Sequence, residues 1–457
     1  MNYSKNAIKW SLTVFIPLVL NLFLLYYKVD ASIRSFLTIT LIGILMFLFE
    51  QVPMLVTSLL LMTTYVVFNI APMSIVFSGW LQESIWITFG CLVMVIVLKN
   101  TTLVERVTYR LIILSGGTYL GILFALVGLG IITNLLVPGV MVGVMIAALA
   151  FSLCQILEFG KSKASAGIMI GALCVGFYDV ETFILSPGNY TLLIDSAKQL
   201  FDIPINYWIF FKDNWVFMPI IILEVLILNK MFAPKEFGNV KAKFETKLAN
   251  LGKVSHQEKK MVIILLSLLI YLFSQPLHQL PMWYGFVIAP MIMFLPLINL
   301  GKPQNTNDIN YNIIIFMVAC LGIGNTAVYL GIGDILSQWA VANLLSANPA
   351  LIIGMIFLMA VGINFIMTPF AAMSTLGSSL AEITLSLNIS FYPISYAFFF
   401  GCQTIIFPYE SALYAILYAF GNIRLSDFIK FMLIRAVLWL AYVVIVGTSY
   451  WSFLGYL

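Results

Sequence analysis

A chain of 457 residues in which 62% are hydrophobic and 9% are charged, with a mean hydropathy of +1.03, is not a soluble globular protein, where about a quarter of residues carry charge. It is an integral membrane protein, and the lack of long alternating strands makes its spans helices. The net charge of +4 sits mainly in loops and is not interleaved with aromatics on one helical face, so it reports topology and excludes nucleic-acid binding.

In chain order, Lys5 and Lys9 precede an apolar run from Trp10 to Tyr27 that has no small-residue cleavage site after it. It reads as a first spanning helix within an N-terminal unit, residues 1–34. Spans follow at about 35–50, 54–70 and 84–99, with Glu50-Gln-Val-Pro53 as a break and the segment from Thr101 to Arg110 as an amphipathic connector. From Leu111 to Leu157 there is no Asp, Glu, Lys or Arg, and Gly128-Leu-Gly-Ile-Ile-Thr-Asn-Leu-Leu-Val-Pro138 lies at the middle. An ordinary water-exposed turn would be charged or strongly polar. This one reads as the tip of a re-entrant hairpin stopping inside the membrane, its second arm starting near Asn134 with Pro138 in the first turn.

Past the basic turn Gly160-Lys-Ser-Lys163, a span from Ala164 is interrupted at Ser186-Pro-Gly-Asn189. Proline and glycine together unwind a helix and free carbonyls and amides for an ion. Asp179 and Glu181 favour an extramembrane loop for the start of this stretch. Residues 190–213 read as interfacial, with Trp208, Phe210, Phe211 and Lys212 at a headgroup boundary. Trp215 to Leu228 then crosses, with Glu224 near enough to its end to reach the interface. Residues 230–260 form the one long polar stretch, eight lysines against three glutamates, which predicts a cytoplasmic linker.

The second half opens with spans from Met261 to Ser274, Met282 to Ile298 and Ile313 to Leu330, the last interrupted at Gly322-Ile-Gly-Asn325. A second uncharged stretch, Ile335 to Ala381, carries Gly362-Ile-Asn-Phe-Ile-Met-Thr-Pro369 and predicts a second hairpin over about 348–386. After Pro393 a helix leads into Phe407-Pro-Tyr-Glu-Ser411, and a last span over about 436–453 ends in the interfacial pair Tyr450-Trp451.

The halves match. The separation of Asn134 from Asn364 equals that of Pro138 from Pro369 to within one residue, and Glu105 and Asp334 keep nearly the same offset. The expected architecture is an all-α polytopic membrane protein with two inverted repeats, 35–229 and 261–457, each with a re-entrant hairpin and a broken transmembrane helix. A substrate site between the halves follows. Asn134 and Asn364 are expected to cap helix N-termini aimed at an anion, with Thr133 and freed carbonyls beside a cation. Glu410 interrupts an otherwise uncharged region, and an ionisable group at membrane depth is a functional candidate, either for a coupling cation or for a proton.

Cys91, Cys154, Cys174, Cys320 and Cys402 are scattered through apolar segments and His256 and His278 stand alone. A disulfide framework, a zinc site and an imidazole relay are therefore not indicated, and neither is a membrane-embedded enzyme.

These residues resemble the divalent anion/sodium symporter family, carriers of dicarboxylates, citrate and sulfate, from about residue 35 to the C-terminus. The resemblance implies inverted repeats, a dimerising scaffold and elevator-type movement. Asn134 and Asn364 match the tip asparagines, Ser186-Pro-Gly-Asn189 and Pro408-Tyr-Glu-Ser411 the two breaks, and Leu103-Val-Glu-Arg106 the connector. The tips read Thr133-Asn-Leu135 and Ile363-Asn-Phe365, so the family's tip threonines are replaced. The expected function is secondary active, sodium-coupled transport of a small anion in the cell membrane by a homodimer. A proton- or cation-coupled exchanger is the alternative. Thr133, Asn134, Asn189, Asn364 and Ser411 are expected at the substrate, and Thr133, Asn134, Ser186, Gly188, Asn364 and Glu410 at the coupling ion, Na+ or H+.

Overall fold

A computed structural model describes residues 2–49, 51–136, 139–186, 188–198, 200, 204–332, 348–365 and 368–457. Glu50, Pro138, Pro187 and Asp334, named above, lie outside the described residues, as does 335–347 of the second uncharged stretch. Among the described residues the fold is entirely helical.

Helices α1 (Asn2–Tyr26), α2 (Ala31–Phe49) and α3 (Met54–Val67) follow the three early apolar runs. Helix α4 (Glu83–Leu98) is followed by α5 (Leu103–Leu114), bent from it by 79°. That bend is the amphipathic connector: Val104, Arg106, Thr108 and Ile112 face inward.

The first uncharged stretch holds α6 (Tyr119–Leu136), long and apolar enough to cross a membrane by itself, and α7 (Val140–Ile156). Asn134 lies in the last turn of α6, so the second arm starts several residues later than the sequence suggested. Asparagine favours an N-cap, but here its amide donates to the carbonyl of Gly130 at 3.0 Å, a bond that keeps it inside the helix.

Helix α8 (Lys163–Leu173) continues through a wide turn, Cys174–Tyr178, and a tight one, Val180–Thr182. Lys163–Thr182 is long and apolar enough to span, and it is buried from Ala164 on. Asp179 and Glu181 therefore belong to the protein interior and not to an external loop. After the break, α9 (Tyr190–Ala197) is also buried, which corrects the interfacial reading for its residues. Helix α10 (Tyr207–Asn214) exposes Trp208 and Phe211 but buries Phe210, which corrects the interfacial reading for that residue.

Helix α11 (Met218–Phe232) completes the first half. The polar linker holds a helix of its own, α12 (Lys241–Asn250), seated on α5 through Phe244 against Tyr109. Ser255 and Glu258 form a capping box that starts α13 (His256–Phe273), each side chain accepting from the other's backbone amide.

In the second half, α14 (Met282–Met293) precedes α15 (Tyr311–Tyr329), which runs unbroken through Gly322 and Gly324. The described part of the second uncharged stretch holds α16 (Pro349–Asn364) and the start of α17 (Pro369–Leu387). Pro369 occupies the first turn of α17, where its missing N–H costs nothing, and the Thr368 hydroxyl caps it. Helix α18 (Phe391–Cys402) leads into the second break, followed by α19 (Ala412–Ala419), α20 (Leu425–Tyr442) and α21 (Thr448–Phe453).

Close helix packing surrounds both breaks. In the first, α6 lies against the wide turn after α8, so close that a Cβ on Gly130 would stand 1.8 Å from the Gly176 carbonyl oxygen. In the second, α16 lies against α18. Small residues permit such approaches in a bilayer, where packing and not water exclusion holds helices together.

Candidate functional site

Glu181 is the centre of the first break. Its carboxylate is fully buried and accepts from Ser186 Oγ at 2.7 Å, from Asn189 Nδ2 at 2.7 and 2.8 Å, and from Gln403 Nε2 at 2.7 Å. All of these donors are neutral. Gly188 turns the chain between Ser186 and Asn189 with φ +99, a conformation that L side chains rarely adopt, and its N–H donates to Thr191 Oγ1.

The second break is organised by its own carboxylate. Glu410 accepts from the amides of Ile406 and Phe407, both at 3.0 Å, closing the turn Pro408–Glu410. Both of its oxygens are thus occupied by backbone. Ser411 pairs with Tyr178 at 2.6 Å, and Tyr178 stacks on Tyr414. With Gln403 reaching Glu181, the two breaks touch directly.

The tip asparagines are placed differently from the helix caps anticipated. Asn364 ends α16, and its Nδ2 donates to the carbonyls of Gly401, Cys402 and Thr404 at 3.3, 3.0 and 3.4 Å, binding the second tip to the second break. The second helices of the two stretches open instead at Gly139, where no side chain caps the first turn, and at Thr368, whose hydroxyl caps the Ala371 amide. Asn134, Asn189 and Asn364 share one property: each is buried with its amide oxygen Oδ1 lacking a hydrogen-bond partner. Buried acceptors are normally satisfied, which sets these three amide oxygens apart from their paired amide nitrogens. Thr133 does not join them. Its hydroxyl folds back onto the Leu129 and Gly130 carbonyls, and it lines an apolar cleft with Leu98, Leu136, Met145 and Leu265.

Behind Gln403 lies a charged cluster. Arg435 of α20 donates to the Gln403 carbonyl at 3.0 Å, meets Asp179 Oδ1 at 2.5 Å and lies 3.4 Å from Glu224 Oε2. Trp439 donates its indole N–H to Glu224. Each of the three charged side chains is at most 1% exposed, so Glu224 is at no interface. A signal for this cluster was present: Arg435 is the one charge between Phe431 and Gly447, inside the last span and not before it.

The family model for the sodium:sulfate symporter transmembrane region matches residues 4–457. No curated protein matches the chain. Among solved structures the fold is similar to the crystal structure of the Alcanivorax borkumensis YdaH transporter, described as having an unusual topology. The likeness has a TM-score of 0.58 at 15% identity and covers 84% of this chain and 88% of that one.

Proposed function

The chain belongs to the sodium:sulfate symporter family and is a multi-pass membrane transport protein, and from that premise we propose that it is a secondary active carrier of a small anion. The substrate class is a di- or tricarboxylate or a related oxyanion, coupled to sodium and carried by elevator-type alternating access between two inverted repeats.

The observation that supports sodium is the set of orphaned amide oxygens on Asn134, Asn189 and Asn364. A hard cation takes oxygen ligands, and an amide oxygen supplies one without a fixed charge. The anion is assigned to the start of α7, whose first turn has no side-chain cap, and to the start of α17, where the helix dipole favours negative charge. Leu135 and Phe365 offer no side-chain donors, so backbone carries more of that task. Glu410, with both oxygens bonded to backbone, is assigned to holding the second break and not to ligating the cation. Residues 230–260 are assigned to the cytoplasmic face of the cell membrane, and the working unit to a homodimer.

The test is uptake of radiolabelled succinate, citrate, tartrate and sulfate into proteoliposomes under an inward sodium gradient, a proton gradient or neither. Accumulation under sodium, lost in Asn134→Ala and Asn364→Ala, is expected. Accumulation under a proton gradient alone replaces sodium coupling with the exchanger reading, and no accumulation under any gradient removes the carrier.

A further inference from the structure

The cluster behind Gln403 is out of charge balance. Asp179, on the turn after α8, and Glu224, on α11, both meet the Arg435 guanidinium, at 2.5 and 3.4 Å, and it is the one cation paired with either among the described residues. The other groups around them are the Cys174 thiol, the Tyr414 hydroxyl and the Trp439 indole, none of which brings positive charge. Two ionised carboxylates would leave a net negative charge in the membrane interior beside a like charge, an arrangement that buried sites avoid.

A second observation locates the missing particle. Asp179 uses Oδ1 on Arg435 and Glu224 uses Oε1 on Trp439, while Glu224 Oε2 only faces Arg435 Nε at 3.4 Å without a hydrogen bond and Asp179 Oδ2 is buried with no hydrogen-bond partner. Each of the two carboxyl groups on this one guanidinium thus keeps an oxygen without a hydrogen bond. We propose that Asp179 and Glu224 share one proton against Arg435, making this cluster a proton-binding site separate from the tip asparagines. The proton gives one acid an O–H to donate and the other an oxygen to accept with, and it brings the trio to neutrality. A sodium ion fits worse, because two oxygens under a guanidinium do not make its shell.

The site is wired to the breaks. Arg435 divides its donors among Asp179, Glu224 and the Gln403 carbonyl, and Gln403 in turn holds Glu181. Loss of the shared proton sets Arg435 against two full charges and draws it from Gln403. Protonation at the cluster is thereby linked to the geometry where the two breaks meet.

Infrared titration of the full-length protein in lipid nanodiscs tests this without any transported anion, so it is decided independently of the carrier assignment. The wild type is expected to show at neutral pH a protonated-carboxyl C=O band that shifts in D2O. The band disappears in both Glu224→Gln and Asp179→Asn, since the acid left behind then pairs with Arg435 as a carboxylate. Glu224→Gln, shaped like the protonated acid, keeps the wild-type melting temperature. A wild type without the band, a band surviving both substitutions, or a band displaced by sodium chloride at constant ionic strength overturns the proposal. So does failure of Glu224→Gln and Asp179→Asn alike to fold, which would mean that both charges are required.

Discussion

Gln403 donates its side-chain amide to Glu181 at 2.7 Å across 222 residues of sequence, joining the second break to the first. The same residue's carbonyl accepts from Arg435. One glutamine thus connects the neutral, amide-lined region at the tips with the charged cluster behind it, and neither its sequence neighbours nor its own type advertised that position.

Gln403→Ala removes one of the donors of a buried carboxylate while Ser186 and Asn189 remain. Leaving such an acceptor short costs about 1–3 kcal/mol. A lower melting temperature than wild type in detergent is expected, with Gln403→Glu lower still because two carboxylates then face each other. A melting temperature unchanged in both would show that Glu181 does not depend on this contact.

Arg435→Met strands Asp179 and Glu224 in the interior, and breaking a buried pair from one side costs about 3–5 kcal/mol. The triple substitution Arg435→Met, Asp179→Asn, Glu224→Gln removes charge from all three positions and is expected to recover most of that loss. Thermal unfolding of the two variants side by side measures it. A triple variant no better than the single one would mean that shape, and not charge, is what Arg435 supplies.

The helices and the two breaks were legible because apolar run length, proline and glycine act locally. Their interior was less so. Asn134 read as a cap because its type favours one, yet a bond to Gly130 held it within α6. Asp179, Glu181 and Glu224 read as water-facing because burial of a carboxylate is costly, and their compensation comes from Arg435, Gln403 and Trp439, far away in sequence. Periodicity carries no information about such partners. The position of Arg435 within an apolar run was the one available clue.

Gly188→Ala is expected to disturb the first break. Its φ of +99 disfavours any L residue, and a Cβ would lie 3.0 Å from Thr88 Oγ1. The strain is about 1–3 kcal/mol, and because it falls between Ser186 and Asn189 it should weaken sodium dependence of uptake more than it lowers the melting temperature. Uptake with wild-type sodium dependence would place Gly188 outside the coupling region.

The last prediction concerns Arg106 and Glu258, which join the two halves outside the membrane-spanning segments. Arg106 Nε meets Glu258 Oε1 at 3.0 Å, and Arg106 also donates to the carbonyls of Leu251 and Gly252, clamping the linker onto α5. Burial pushes the Glu258 carboxyl up, but the Arg106 guanidinium, the Ser255 amide and the Thr102 hydroxyl outweigh it and hold the pKa down to about 2, against an ordinary 4.5. A carboxyl lowered on folding stabilises the clamp fully above its unfolded value and loses that contribution as pH falls through its folded one. Amide hydrogen exchange in α12 and residues 251–255 should therefore be slow at neutral pH and accelerate between about pH 4.5 and 2. Glu258→Gln and Arg106→Gln should show the faster exchange at every pH, by about 1–3 kcal/mol of lost local stability. Exchange in Glu258→Gln as slow and as pH-sensitive as wild type would detach the linker's order from this pair.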